Sequence, residues 1–215
     1  SSLTELAFAA GFRHGKRVAK TAGIPENVRL DDLLVRRGLF VSRSRAADAV
    51  RRGTVKVAGS PVTKAGAFVA EAVELSVDDP ASGYVSRAAL KLVAGLDHFG
   101  FDPSGKVALD IGASTGGFTQ VLLLRGAASV TCVDVGHRQL HESLRADPRV
   151  TNLEGLNARD LTLADLGGAA PDVVVSDVSF ISLTLALPPA LSMAAPGAFA
   201  VLLIKPQFEA GRAAI

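Results

Sequence analysis

Val107-Ala108-Leu109-Asp110-Ile111-Gly112-Ala113-Ser114-Thr115-Gly116-Gly117-Phe118 runs from an apolar stretch through a glycine-bearing turn into a segment of helical period. This strand, turn and helix sequence decides the fold. A five-residue run before Gly112, apolar but for Asp110, reads as a strand covered on both faces, and Gly116 and Gly117 open a helix whose first N–H groups are free. A dinucleotide fingerprint would need Gly-x-Gly-x-x-Gly, and a phosphate-gripping loop would need Gly-Lys-Ser/Thr. Neither is present. An acid precedes the first glycine instead, which disfavours phosphate and favours a cation or zwitterion.

Downstream the alternation repeats: SVTCVDV, a helix over Arg138 to Arg145, RVTNLEG, then VVVSDVSF and AFAVLLIK. Such a pattern predicts an α/β fold, a parallel sheet wrapped by helices, with its ligand at the carboxyl ends of the strands where the order reverses. Asp110, Asp134 and Asp177 are all expected on that edge. Asp134 is placed to accept ribose hydroxyls, and Asn157, in the third strand-end loop, is a candidate for an adenine edge. With the Asp110, Gly112, Ser114, Thr115, Gly116, Gly117 and Phe118 turn, they suit S-adenosylmethionine as cofactor.

The acceptor follows from side-chain chemistry. Methylation at pyrimidine carbon uses a cysteine, and Cys132, the single cysteine, lies mid-strand. Exocyclic nitrogen uses an Asn/Asp-Pro-Pro-aromatic turn, whereas this chain has Asp177-Val178-Ser179-Phe180. A sugar hydroxyl needs a base, and Lys205, at the end of the fifth strand and next to the fourth in the expected order, is placed near Asp177. His137 and His141 are spaced for one helix face but have no third ligand, so no metal site is expected.

Working outward, the overall charge of +2 conceals an asymmetry: residues 1–64 carry 13 Lys/Arg against 5 Asp/Glu, and residues 65–215 carry 10 against 16. A basic segment joined to an acidic body reads as an electrostatic arm for a polyanion. Leu30, Leu33, Leu34 and Val35 predict a short helix ending at Gly38. Ser42 or Ser44 caps a second, and Val55, Val57 and Val62 suit a hairpin turning at Gly59-Ser60-Pro61. Arg29, Arg36, Arg37, Arg43, Arg45, Arg51, Arg52 and Lys56 are the candidate RNA contacts. Residues 1–28, with Leu3, Leu6, Phe8 and Phe12 among Arg13, Lys16, Arg17 and Lys20, are open to two readings, a basic amphipathic helix or an extension. Residues 80–86 form a turn-rich linker. The helix predicted over Ser86 to Gly100 has Ala88, Ala89, Leu92 and Leu96 as its apolar stripe, with Lys91 off it.

Composition excludes several classes. At 48% hydrophobic and 20% charged residues the chain is a cored globular protein. One cysteine points to a reducing compartment, the cytoplasm. No apolar run is long enough for a membrane span, and the first twenty residues lack the order of a secretory signal.

The Arg29 to Val69 segment resembles the small α+β RNA-binding fold named after ribosomal protein S-four, on Arg29-Leu30-Asp31, Gly38, Ser42-Arg43-Ser44 and Arg51-Arg52-Gly53. DIGASTGGFT, DVGHRQL, RVTNLEGLNAR, SDVSFISL and LIKPQFEAG, together with YVSRAALKL, resemble the TlyA family of ribosomal RNA 2′-O-methyltransferases, also called haemolysins. The resemblance implies an RNA-binding domain over 29–79 and a Rossmann-like class I methyltransferase domain over 87–215, with further C-terminal strands in the family lying beyond this sequence. It implies a lysine-aspartate-lysine-glutamate set whose first three members are Lys91, Asp177 and Lys205. The glutamate belongs to a later strand, and Glu209 to the KPQFE motif. Ribosomal RNA or ribosomal subunits are the implied partners, met by a monomer or weak oligomer without a membrane. A membrane-lytic haemolysin and a non-catalytic RNA-binding protein are the alternative readings.

Overall fold

The computed structural model describes residues 27–210. The readings made for residues 1–26 lie outside the described residues. The chain divides into two compact units between Gly83 and Tyr84.

In the first unit, β1 (Asn27–Arg29) leads into α1 (Leu30–Arg36) and α2 (Arg43–Arg51), followed by β2 (Val55–Val57), β3 (Ser60–Pro61), β4 (Phe68–Ala70) and β5 (Leu75–Val77). Gly38, at φ 70°, lets the chain reverse after α1. Ser42 caps α2 by accepting the Arg45 N–H. Leu30, Leu34, Phe40, Ala46, Ala49, Val50 and Val55 form one buried cluster between the helix pair and the strands. The hairpin turn falls at Ala58-Gly59, both at positive φ, rather than at Gly59-Ser60-Pro61. A two-residue hairpin turn needs two left-handed residues, which Pro61 cannot supply.

Arg52 ties the end of α2 to the segment before the linker. Its guanidinium donates to both oxygens of Asp79, at 3.0 and 2.7 Å, and to Asp48 at 3.2 Å. The Arg52 side chain is 28% exposed and that of Asp79 only 4%. Arg52, by its hydrogen bonds, holds the Asp79 carboxyl below the usual carboxylate range. Arg52→Ala strands that carboxylate in a buried position, and is expected to destabilise this unit by about 2–3 kcal/mol in denaturant titrations, less than for a fully buried pair because the guanidinium is partly hydrated. A loss under about 0.5 kcal/mol would show that water replaces the pair.

The second unit contains α3 (Ala89–Phe99), β6 (Val107–Ile111), α4 (Gly117–Leu124), β7 (Ser129–Asp134), α5 (Glu142–Arg145), β8 (Val150–Glu154), a 3-10 turn (Ala158–Asp160), β9 (Val173–Ser176), α6 (Leu183–Ala186), α7 (Pro188–Ser192), β10 (Phe199–Leu202) and α8 (Pro206–Glu209). The five strands form one parallel sheet in the order β10-β9-β6-β7-β8. The order reverses between β6 and β9, and that junction is where such sheets hold ligands. Alternation along the strands feeds two cores. Ala108, Val130, Cys132, Val173 and Val175 pack with Leu92, Leu96, Phe118, Val121 and Leu122 of α3 and α4. Leu109, Ile111, Val133 and Val174 pack with Leu161, Leu187 and Ala190 on the other face. Each fully buried Leu, Ile or Val among these contributes about 1.5–3 kcal/mol of transfer free energy.

Two expected helices are shorter than their sequence pattern. The first begins at Ala89 rather than Ser86, because Ser86 accepts the Ala88 N–H in a tight turn. The expected helix over Arg138 to Arg145 is reduced to the single turn Glu142–Arg145. Glu154, at the end of β8, takes the N–H groups of Arg138, Gln139 and Leu140 at 2.7, 3.0 and 3.2 Å, and Arg138 sits at φ 56°. His137 and His141 therefore share no helix face, and His141 instead caps α5. No group of three metal-ligating side chains occurs among the described residues. Among them, too, no helix is long and apolar enough to cross a membrane.

Candidate active site

The turn after β6 is shaped by close approach. Gly112, at φ 82°, brings the backbone against Val178, where a Cβ would come within 2.8 Å of the valine Cγ1 and 3.2 Å of its Cα. Gly116, at φ 93°, lies under Leu140 and Leu144, at 2.7 and 2.3 Å from a would-be Cβ. A side chain at 112 would push Val178 away across the sheet's switch point, and one at 116 would displace Leu140 and Leu144 of the segment after β7. Ser114 and Thr115 are exposed on the turn, while Gly117 and Phe118 are buried at the start of α4.

Asp110 lies one residue inside β6, on the face that α4 covers. Only 1% of it is exposed. Its Oδ2 accepts the Thr119 hydroxyl at 2.7 Å, and Thr119 in turn touches Cys132 Sγ at 3.0 Å; Oδ1 has no hydrogen-bond partner. Burial pushes the Asp110 carboxyl up to about 7, reinforced by the charges of Asp134 and Asp177, while burial and the neighbouring Asp110 push the Cys132 thiol up to about 12. Cys132 is thus an inert core thiol.

Asp134 ends β7 with each carboxylate oxygen holding one backbone N–H: Oδ2 that of Ser114 and Oδ1 that of Gly136, both at 2.8 Å. A carboxylate oxygen has further lone-pair capacity, so both remain able to accept a hydroxyl. The loop beyond is organised by Glu154, whose carboxyl is drawn down to about 2 by the N–H groups of Arg138, Leu140 and Gln139. Asn157 caps the 3-10 turn through its Oδ1, accepting Arg159 N–H at 3.1 Å, and its amide NH₂ is the group left to meet a ligand.

Across the switch point, Asp177 follows β9 and gathers two amines. Lys91 Nζ, from α3, lies 3.0 Å from Oδ2, and Lys205 Nζ, from the residue before α8, lies 2.7 Å from Oδ1. Lys205 also reaches Ser179 Oγ at 2.8 Å and the Asp177 carbonyl at 3.4 Å. Its side chain is 19% exposed, against 50% for Lys91. One carboxylate between two amines leaves the cluster with an excess of positive charge, suited to an anionic or incipiently anionic oxygen. Beside it Phe180 is 91% exposed at φ 66°, its ring 5.3 Å from that of Phe208. Glu209 does not join the cluster, for it bonds Ser182 and Leu183. Ser179, Phe180 and Thr119 are functional candidates that sequence reasoning missed. Nothing in local periodicity distinguishes them, since each is defined by a partner at least nine residues away.

In the first unit Arg29 donates to both oxygens of Asp31, at 3.1 and 2.9 Å, and Arg43 to the same carboxylate at 3.3 Å. Arg36 pairs with Asp32 at 2.6 Å. With Asn27 and Val28, the three arginines and Asp32 line an open cavity of about 520 Å³. Arg37 donates to the Glu71 and Val73 carbonyls. Arg45 is half-buried in α2, and Arg51 and Lys56 are exposed. Much of the basic set is thus held in place by acids and carbonyls of its own unit, which orients guanidinium groups that remain partly solvated.

Comparison with known proteins fits both units. Residues 84–215 match the profile of the FtsJ-like methyltransferases, and residues 28–74 that of the S4 domain. The chain is 49% identical over 185 residues to the 16S/23S rRNA (cytidine-2′-O)-methyltransferase TlyA of Mycobacterium tuberculosis, a match covering 86% of this chain and 69% of that protein. It is 43% identical over 185 residues to Hemolysin A of Brachyspira hyodysenteriae, covering 86% and 77%. A solved structure from Streptococcus thermophilus that carries a hemolysin designation matches with a TM-score of 0.64 at 40% identity, over 89% of this chain and 70% of that one.

Proposed function

Since the chain belongs to the FtsJ-like methyltransferase family and carries an S4 domain ahead of that unit, we propose that it methylates a ribose 2′-hydroxyl of ribosomal RNA. The observation that carries this reading is the meeting of Lys91, Asp177 and Lys205 at the carboxyl edge of the sheet. The cofactor we assign is S-adenosylmethionine. The donor set fits it: Asp134 retains lone pairs for ribose hydroxyls and Asn157 has a spare amide NH₂, whereas Asp110, expected at the edge, is buried under α4 and takes no direct part. Gly112, Ser114, Thr115, Gly116, Gly117 and Phe118 form the turn against which it would lie. When bound, it supplies an electrophilic methyl group.

The residues of the chain then act on the acceptor. Lys205, the less exposed of the two amines and held by both Asp177 and Ser179, is assigned as the base. Lys205 Nζ would take the proton of the 2′-oxygen as that oxygen gains the methyl group, the methyl–sulfur bond of the donor breaking with its electron pair left on sulfur. Asp177 keeps the amine aimed, and Lys91 holds the sugar and offsets the negative charge growing on oxygen. Phe180 and Phe208 offer an aromatic surface on which an unstacked base can lie. The arginines of the first unit hold the RNA by its backbone, and this substrate places the protein in the cytoplasm.

The test is transfer of labelled methyl groups to ribosomal subunits. Lys205→Ala is expected to lower turnover by roughly 10²–10⁴-fold with cofactor affinity within about twofold. Wild-type turnover in that variant would remove Lys205 from the mechanism.

A further inference from the structure

The loop that carries Asp177 and the turn that carries Lys205 belong to neighbouring strands, but strand pairing ends at Ser176 and Leu202. One more backbone bond, Leu203 N–H to the Ser176 carbonyl at 2.9 Å, follows the pairing, and beyond it side chains tie the two segments together. One tie is Lys205 itself, on Asp177 and Ser179. The other is four residues further along: Glu209 accepts the Ser182 hydroxyl on Oε2 at 2.6 Å and the Leu183 N–H on Oε1 at 2.9 Å. These two bonds keep the Glu209 carboxyl below its ordinary range. Ser182 is also the N-cap of α6, so the clasp joins the start of α6 to the end of α8.

Between the two ties the loop is held against its own preferences. Phe180 adopts φ 66°, a region that a bulky L-residue rarely enters, and its ring is almost wholly exposed, so core packing cannot be what keeps it there. The Phe180 and Phe208 rings lie 5.3 Å apart, one on the loop and one on α8.

Resting on the function proposed above, we infer that Glu209 is a positioning residue: by clasping Ser182 and Leu183 it fixes the Asp177 loop against the Lys205 turn and keeps the Lys205 amine on Asp177 and Ser179. It touches neither substrate nor cofactor. Its effect passes through Lys205.

The test pairs kinetics with a probe that reads Lys205 directly. Glu209→Ala, Glu209→Gln and Ser182→Ala are compared with wild type for methyl transfer to ribosomal subunits, and for the rate at which acetic anhydride acetylates Lys205 relative to exposed Lys56, mapped by mass spectrometry. Glu209→Ala, which removes both bonds, is expected to lower kcat about tenfold with the KM for cofactor unchanged, because only part of their loss reaches Lys205. Glu209→Gln, which keeps an acceptor for Leu183 N–H, and Ser182→Ala, which removes one bond, lose less. Lys205 acetylation rises several-fold in the same order. Unchanged Lys205 labelling in folded Glu209→Ala, or in Glu209→Gln and Ser182→Ala should Glu209→Ala not fold, overturns the clasp. A wild-type protein that transfers no methyl group defeats the proposed function, and the labelling comparison still decides the clasp.

Discussion

Asp177→Asn is expected to lower methyl transfer by about 10³-fold, within the range expected for Lys205→Ala. The reason is the sharing of one carboxylate by two amines, at 3.0 Å from Lys91 and 2.7 Å from Lys205. An amide in its place presents one oxygen and one NH₂ group, so one amine keeps an acceptor while the other faces a donor. The two amines then repel each other, and the base loses its aim as well as its counter-charge. Single-turnover rates on ribosomal subunits measure the loss, and calorimetry with the cofactor separates it from binding, which is expected to change little. Because the three side chains act as a unit, Asp177→Asn combined with Lys205→Ala should be scarcely slower than the more severe single variant. Multiplicative losses in the double variant would mean that the three groups work independently.

The second large effect is on stability, and it comes from Asp110. Its carboxyl titrates near 7 in the folded protein because burial penalises the charged form, against an ordinary value of 3.8. The folded state therefore binds the proton more tightly than the unfolded chain. The stabilisation from this group is complete below about pH 4 and is lost as the pH rises through about 7. Some three units correspond to about 4 kcal/mol, an upper figure for a group this buried. Asp110→Asn keeps an acceptor for the Thr119 hydroxyl and cannot ionise. Urea titrations of both proteins from pH 4 to 8 should therefore show the difference in stability moving by up to about 4 kcal/mol in favour of the variant. The groups around the carboxyl are Thr119, Cys132, Asp134 and Asp177, none of which is altered by the substitution. A difference that stays flat across that range would show that water reaches Asp110 and that it is ionised in the folded protein at all these pH values.

The division between what was legible and what was not follows the range of the interactions. Apolar runs of alternating phase, as in Ala108 and Val130 against Leu109 and Val133, require strands covered on both faces, and the glycines at 112 and 116 require the turn after the first. The neighbouring places of Asp177 and Lys205 followed from the strand order alone, because parallel pairing of β9 and β10 puts their carboxyl ends side by side. The helix expected over Arg138 to Arg145 shows where such reading stops. Its local pattern is helical, yet the chain there wraps around Glu154, which accepts the N–H groups of Arg138, Gln139 and Leu140, and Arg138 takes a φ of 56° that no α-helix contains.

The sequence by itself determined the α/β alternation and the basic and acidic halves, because those depend on periodicity, charge and side-chain type, which are local. Only the tertiary structure decided which carboxylate serves two lysines, that Asp110 is buried rather than open at the edge, and that Arg52 is committed to Asp79 and Glu209 to Ser182. Those pairings join residues far apart along the chain. Their geometry exists only once the packed strands and helices have brought the partners together and excluded the water that would otherwise satisfy them.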